Sequence, residues 1–379
     1  LGLDGSLRPC RGVIALADLA RQQGARALIV PPANAPEAAL IPNLTIWTAN
    51  NLKELVQQLK GECPIVRIEH NPSPQPATPA AMTLDHLGLG IEGMDRAAHA
   101  LALAAAGGHH LLMVGPPGCG KTHLARQLPL LLPPLTTPES LTITRIHSVA
   151  GEFDASEPLL HQRPFRSAHH SCSGAALLGG GHTPKPGEIS LAHGGVLFLD
   201  ELAEFPRRVL DLLRQPLEDG NVRLSRSRET TVFPAAVTLV AATNPCPCGW
   251  HGDSAQACRC TRAQRQRYWQ RLSGPLLDRI DLQLRLELRS SRQMRRCLEA
   301  TPSPQTHSAW LKPSRVKAAR RRMRTRNPRG CSNRFLMRFG RGADRAGGDR
   351  VDMWQRFGHE IARDDLVLGM LGSEMGEQF

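Results

Sequence analysis

Gly115-Pro116-Pro117-Gly118-Cys119-Gly120-Lys121-Thr122 is a complete G-x-x-x-x-G-K-[ST] stretch. The apolar run Leu111-Leu112-Met113-Val114 precedes it, and a helical pattern opens behind it from Leu124. Strand, loop and helix in that order are the context in which this motif cradles a polyphosphate. Glycines at 115, 118 and 120 let backbone N–H groups turn inward, and a helix opening at Lys121 aims its positive dipole end at the same spot. The expectation is a nucleoside triphosphate site, with Lys121 reaching the β- and γ-phosphates and the Thr122 hydroxyl holding Mg²⁺.

Two more apolar runs come after it, and each ends in polar residues. Val196-Leu197-Phe198-Leu199 stops at Asp200-Glu201. A buried parallel strand with acids at its C-terminal edge places them where nucleotide sites of open α/β sheets lie. Asp200 is expected to bind Mg²⁺ through water, and Glu201 to polarise the water that attacks the γ-phosphate. The run from Val237 to Ala242 ends in Thr243-Asn244, whose amide suits a sensor of the γ-phosphate or of that water. Further on, Gly274 to Asp281 sets Arg279 close to Asp278 and Asp281. The fold class these runs imply is a doubly wound α/β P-loop ATPase with a parallel sheet.

Four of the ten cysteines fall as Cys246-Pro247-Cys248 and Cys258-Arg259-Cys260, two C-x-C pairs directly after the sensor strand. Paired thiolates close a tetrahedral Zn²⁺ site and staple a loop too polar to form a core. The commoner structural spacing is C-x-x-C, and His251 stands between the pairs, so the ligand set stays open, with free thiols as the other reading. Disulfides are not expected in the reducing cytosol that an ATPase implies. His169 and His170 also invite a metal reading, but adjacent histidines ordinarily point apart, and loop structure is the simpler expectation.

Two stretches read as insertions in a minimal P-loop ATPase. From about Arg163 to Pro186 the chain carries Arg163, Arg166 and Lys185 around a Gly179-Gly180-Gly181 run, cations that suit a phosphate chain beside a loop able to approach it. From Asn221 to Phe233, alternating Val222 and Leu224 with Arg223, Arg226 and Arg228 read as a hairpin. Its basic edge either contacts nucleic acid or is a solvated edge that blocks sheet pairing, and nucleic acid is the favoured reading.

These pieces resemble the AAA+ ATPases, and more closely their magnesium-chelatase-like branch, the ComM/YifB family. The likeness runs across residues 107 to 288: GGHHLLMVGPPGCGKT, RPFRSAHHSCSGAALLGGG with PKPGEISLAHGGVLFLDE, LRQPLEDG, LVAATNPCPCG and SGPLLDRIDL. The resemblance implies a homo-hexameric, cytoplasmic ring ATPase in which Arg279 completes the neighbouring subunit's site. It also implies a pore-facing loop around Lys185, and helicase-type branch migration on single-stranded or branched DNA. A motor that remodels a partner protein, as in magnesium chelatase, and an inactive nucleotide-binding remnant are the other readings.

Outside that module, LDGSLRPCRGVIAL and ALIVPPANAPEAALIP resemble the second half of a Lon-protease-like domain, giving a partial α/β domain over 1–66. A proline-rich linker over 67–82 leads to the ATPase core at 83–288. The family's Asp-x-x-Asp-Val-x-Gly-Gln entry is replaced here by Asp85-His-Leu-Gly-Leu-Gly-Ile-Glu-Gly-Met, so contacts to the nucleotide base are not assigned. From residue 290 onward, 19 Lys and Arg stand against 9 Asp and Glu, which is +10 of the chain's +13. The resemblance stops near residue 311, and the arginine- and glycine-rich tail over 289–379 reads as an out-of-frame translation of GC-rich DNA or as a basic nucleic-acid arm in place of the helical lid. No membrane span is expected, since the leucine-rich stretch from Leu128 to Leu135 is short and broken by three prolines.

Overall fold

The protein is seen in a computed structural model that describes residues 1–68, 95–153, 159–181, 184–225, 230–253 and 256–287, and the backbone of two strands at 335–339 and 366–370. The first of these segments folds as a small α/β unit. Its elements are α1 (Val13–Gln22), β1 (Ala27–Val30), α2 (Ala35–Ala38), β2 (Thr45–Thr48), α3 (Leu52–Lys60) and β3 (Val66–Ile68). Strand β1 pairs parallel with β2, and β3 joins β2 antiparallel, so the sheet continues two residues into the expected linker. The rest of that linker lies outside the described residues.

Helix α4 (Asp95–Gly107), β4 (Leu111–Val114), α5 (Lys121–Leu131) and α6 (Thr137–Ala150) open the larger unit. Next come β5 (Phe165–Ala168), α7 (Gly174–Leu178), the short ribbon of β6 (Gly179–Gly180) and β7 (Lys185–Pro186), α8 (Glu188–Leu191) and β8 (Val196–Leu199). Helices α9 (Arg207–Leu212) and α10 (Arg214–Asp219) lead to an antiparallel hairpin of β9 (Asn221–Ser225) and β10 (Thr230–Pro234). Strand β11 (Thr238–Thr243), α11 (Arg262–Gln270), α12 (Gly274–Leu277) and β12 (Leu282–Arg285) complete it. In the tail, β13 (Phe335–Phe339) and β14 (Leu366–Met370) pair antiparallel; the remainder of the expected tail, and its frame, lie outside the described residues.

Five strands form one all-parallel sheet in the order β12-β4-β11-β8-β5. The apolar runs are its inner strands because both faces are covered. Leu111, Met113, Phe198 and Val240 pack on one face with Leu101, Leu124 and Leu128. Leu112, Leu197, Leu199 and Leu239 face the opposite way, onto Leu210, Leu213 and Leu276. Successive side chains alternate across a strand, so the near-continuous apolar pattern is what two covered faces require.

Strand β5 corrects the expectation for residues 163–186. The stretch does not begin as an insertion: Phe165–Ala168 is the edge strand of the sheet, in register with Val196–Leu199, and the Phe165 and Phe198 rings stack at 5.9 Å. Only residues 169–186 leave the sheet. The small N-terminal unit is seated on α6, where Asp18 Oδ2 meets Arg145 at 3.1 Å and Ser148 Oγ donates to the buried Glu37 carboxylate. That carboxylate also accepts the Ile14 N–H at 2.9 Å, so the buried acid is satisfied from both units.

At the foot of β4, the partly buried His110 accepts the Leu239 N–H at Nδ1, 3.0 Å away, tying β4 to β11. Burial lowers its pKa to about 4, with Asp281 opposing and His109 assisting. A histidine depressed in the folded state favours the fold above its unfolded value, and that contribution is lost as pH falls from about 6.5 towards 4. Between pH 7 and pH 5, wild-type protein should lose about 2 kcal/mol more stability than His110→Asn. Parallel denaturation curves for the two proteins at both pH values check this, and equal losses would remove the role given to His110.

Candidate functional site

Strand β4 runs directly into the phosphate loop, whose shape is set by close packing. A Cβ on Gly115 would lie 2.8 Å from the Leu286 carbonyl oxygen and 2.7 Å from Cys119 Sγ, so no larger residue fits beneath the loop. Gly120, at φ 90°, occupies the left-handed region from which α5 starts at Lys121. That helix has 11 residues, and its first turn presents free N–H groups to the loop.

Lys121 Nζ donates to Gly115 O at 2.7 Å, to Pro116 O at 2.8 Å and to Asn244 Oδ1 at 3.2 Å. The phosphate-loop lysine and the sensor amide at the end of β11 are therefore brought together. Thr122 Oγ1 donates to Asp200 Oδ2 at 3.2 Å, joining the start of α5 to the end of β8. A hydroxyl and a carboxylate side by side are hard oxygen donors that fit Mg²⁺. Cys119, within the loop, has its thiol pushed up by burial, against the pull of Lys121.

Glu201 departs from ordinary backbone geometry. Its φ of 50° and ψ of 48° are left-handed, uncommon for a residue with a Cβ, and its N–H donates to Asp200 Oδ1 at 2.9 Å. Its side chain is half exposed, with Oε2 3.0 Å from His170 Nδ1 but out of hydrogen-bonding line. His170 lies just past β5, and its ring is only 3.9 Å from that of His169 instead of pointing apart. The sequence offered His170 as part of the 163–186 stretch suited to a phosphate chain, as loop structure or as a metal ligand; its nearness to Glu201 required knowing that β5 and β8 are neighbours.

Arg279 stands in the turn after α12, where it donates to Pro275 O at 3.5 Å and forms an ion pair with Glu218 of α10. Among the described residues it makes no hydrogen bond or ion pair with the phosphate loop.

The basic residues divide. Arg163 is buried, and donates to Pro133 O at 2.6 Å and Gly194 O at 2.5 Å, with Glu139 3.6 Å away. It ties the approach to β5 to its neighbours, and with Nε and one Nη on backbone carbonyls it has fewer donors to offer a phosphate chain, which counts against the nucleic-acid expectation. Arg166 is bidentate to Glu188, at 2.7 and 2.9 Å, and pairs with Glu152 at 2.9 Å, so its charge is balanced within the protein as well. Lys185 on β7 and Arg223 on β9 are exposed. Arg226 falls in 226–229, outside the described residues.

After Asn244 the chain forms a knot. The thiols of Cys246, Cys248, Cys258 and Cys260 all lie within 4.8 Å of one another. Cys246 Sγ is 3.3 Å from Cys248 Sγ and 3.7 Å from Cys258 Sγ, and the Cys248 and Cys258 sulfurs are 3.6 Å apart. Tetrahedral Zn²⁺ with Zn–S near 2.3 Å needs sulfurs about 3.8 Å apart, so four thiolates fit. Burial pushes the Cys246 thiol up to about 12; at Cys248 it is outweighed by N–H groups of Trp250 and Arg259, and that thiol falls to about 6. His251 is turned away from the sulfurs towards Arg265, with Nδ1 3.1 Å from its guanidinium, so the set is four cysteines.

Comparison with known proteins agrees with this geometry. The family model for magnesium chelatase, subunit ChlI, matches residues 89–294, a little over half of the chain. YifB of Escherichia coli K12 is 43% identical over 322 residues, covering 85% of this chain and 61% of that protein. The competence protein ComM of Haemophilus influenzae is 45% identical over 292 residues, 76% of this chain and 56% of that one. An uncharacterized protein of Mycobacterium tuberculosis H37Rv is 44% identical over 287 residues, and the chain spans 56% of its length. With a nucleotide site built on the C-terminal edge of a parallel sheet, and these relatives, the chain belongs to the magnesium-chelatase-like ComM/YifB family of AAA+ ATPases.

Proposed function

We propose that this chain is the ATP-hydrolysing motor of a ring, most simply a hexamer, that moves on single-stranded or branched DNA in the manner of a branch-migration helicase. One observation carries the reading: two ribbons, each with an exposed basic residue, adjoin along the chain the strands that end at the candidate catalytic groups. Lys185 sits on the β6/β7 ribbon, reached from β5 through His170, which lies beside Glu201. Arg223 sits on the hairpin that leads into β11 and so to Asn244. Movement at either ribbon has a short path to the γ-phosphate. The competence protein among the relatives supports a substrate of DNA. The family model's own name supports a second reading, a motor that remodels a partner protein.

Mg²⁺, held by Thr122 and through water by Asp200, would neutralise charge building on the phosphates. Glu201 would take the proton of the attacking water, and Lys121 and Asn244 would orient the γ-phosphate. The four cysteines would hold one structural Zn²⁺. Among the described residues no helix is long and apolar enough to cross a membrane, and the proposed workplace is the cytoplasm.

DNA-stimulated ATPase activity tests the proposal. Replacing Lys185 and Arg223 together by Gln should abolish most of the stimulation, leave nucleotide affinity unchanged and reduce the salt slope of DNA binding by about 2. ATP turnover indifferent to DNA in the wild type would favour protein remodelling instead, and absent turnover an inactive remnant.

A further inference from the structure

The cysteine knot touches the nucleotide site, and its place there suggests a task beyond stapling a loop. We propose that the metal-loaded knot is a latch that holds the phosphate loop and the sensor amide in their binding geometry, so that Zn²⁺ and ATP bind cooperatively. The proposal rests on the reading of the four cysteines as a zinc site and adds a coupling between the two sites.

Three contacts carry it. Asn244, which accepts from Lys121 at 3.2 Å, is only two residues before Cys246, so a fixed Cys246 fixes the amide. Gly249, inside the knot and buried, is at φ 85°, and a Cβ there would lie 2.7 Å from Pro117 Cδ and 3.0 Å from Cγ. The knot's backbone therefore bears directly on the second proline of the phosphate loop. Behind it, Trp269 Nε1 donates to Pro245 O at 3.1 Å, and Arg285, at the end of β12, donates to Gly252 O at 3.2 Å. The knot is thus clamped between α11, the sheet edge and the phosphate loop.

Residues 245–261 contain little that is apolar apart from Trp250 and the cysteines. Such a loop cannot hold a fixed shape by burial alone, and metal binding supplies the ordering energy that a core would otherwise provide. Whatever orders the knot orders Gly249 and Asn244 with it. The coupling is reciprocal: if Zn²⁺ raises affinity for nucleotide by some factor, nucleotide raises affinity for Zn²⁺ by the same factor.

The test uses the full chain. Zinc per chain is measured by atomic emission, nucleotide affinity with a fluorescent ATP analogue in Mg²⁺, and zinc release by equilibrium competition with a chromophoric chelator. We expect one Zn²⁺ per chain, release to the chelator at equilibrium made on the order of tenfold harder by saturating nucleotide, and nucleotide affinity reduced on the order of tenfold in zinc-stripped protein and restored on reloading. Gly249→Ala, which pushes the knot off Pro117, should keep its zinc and lose affinity to a similar extent. If wild type holds zinc but nucleotide does not alter its release and Gly249→Ala binds normally, the latch is overturned while the zinc site stands. If wild type holds no zinc, the zinc reading itself fails, and the latch fails with it.

Discussion

Glu201→Gln should bind ATP as wild type does and turn it over two to four orders of magnitude more slowly, about the worth of a positioned general base. Lys121→Ala should behave in the opposite sense. Its ammonium lies against two carbonyls of the loop, and its loss should weaken nucleotide binding about ten- to a hundredfold, the 1.5–3 kcal/mol of a hydrogen bond to a charged partner. The contrast comes from geometry: Lys121 lies beneath the loop against Gly115 O and Pro116 O, whereas Glu201 stands half exposed past the end of β8. Equilibrium binding of a fluorescent analogue and single-turnover hydrolysis separate the two effects. Equal affinity in Lys121→Ala and wild type would remove the assignment of the phosphate loop.

Arg279→Ala should lower turnover by roughly a thousandfold without changing affinity, as loss of an arginine that stabilises transition-state charge does. Because Arg279 is paired with Glu218 and not with its own phosphate loop, its effect is expected on a neighbouring subunit. Mixing Arg279→Ala with Lys121→Ala should restore part of the turnover, since the second protein lends its arginine to the intact sites of the first. No recovery on mixing, at concentrations where the proteins assemble, would place Arg279 outside the chemistry.

The centre of the sheet was readable from residue types because strands covered on both faces must be apolar along their whole length. Val196–Leu199 and the run into Asn244 therefore announced themselves, and the polar residues after them marked the C-terminal edge of the sheet. The hairpin of β9 and β10 was equally open to reading from its alternation. Phe165–Ala168 was not, because an edge strand reading Phe-Arg-Ser-Ala lacks that signature. The setting of Arg163 was hidden for a related reason: a cation ordinarily signals solvent, and only the fold shows the carbonyls of Pro133 and Gly194 converging on it. The nearness of His170 to Glu201, and of Gly249 to Pro117, brings together residues far apart in sequence, and no local pattern encodes such a meeting.

Strands β4, β11 and β8 are adjacent and in fixed parallel register, and each delivers its share of the site from its C-terminal end. The strands that carry the phosphate loop, the sensor amide and the two carboxylates thus hang from one hydrogen-bonded ladder and cannot shift past one another by less than a register step. In the proposed ring this makes the strands beneath each subunit's own half of the site a constant, and leaves the loops above them and the arriving arginine as the variables. Timing then belongs in part to the seams between subunits: one subunit with a damaged ladder would lose its own site, whereas one subunit without Arg279 would keep its own site and silence the one next door.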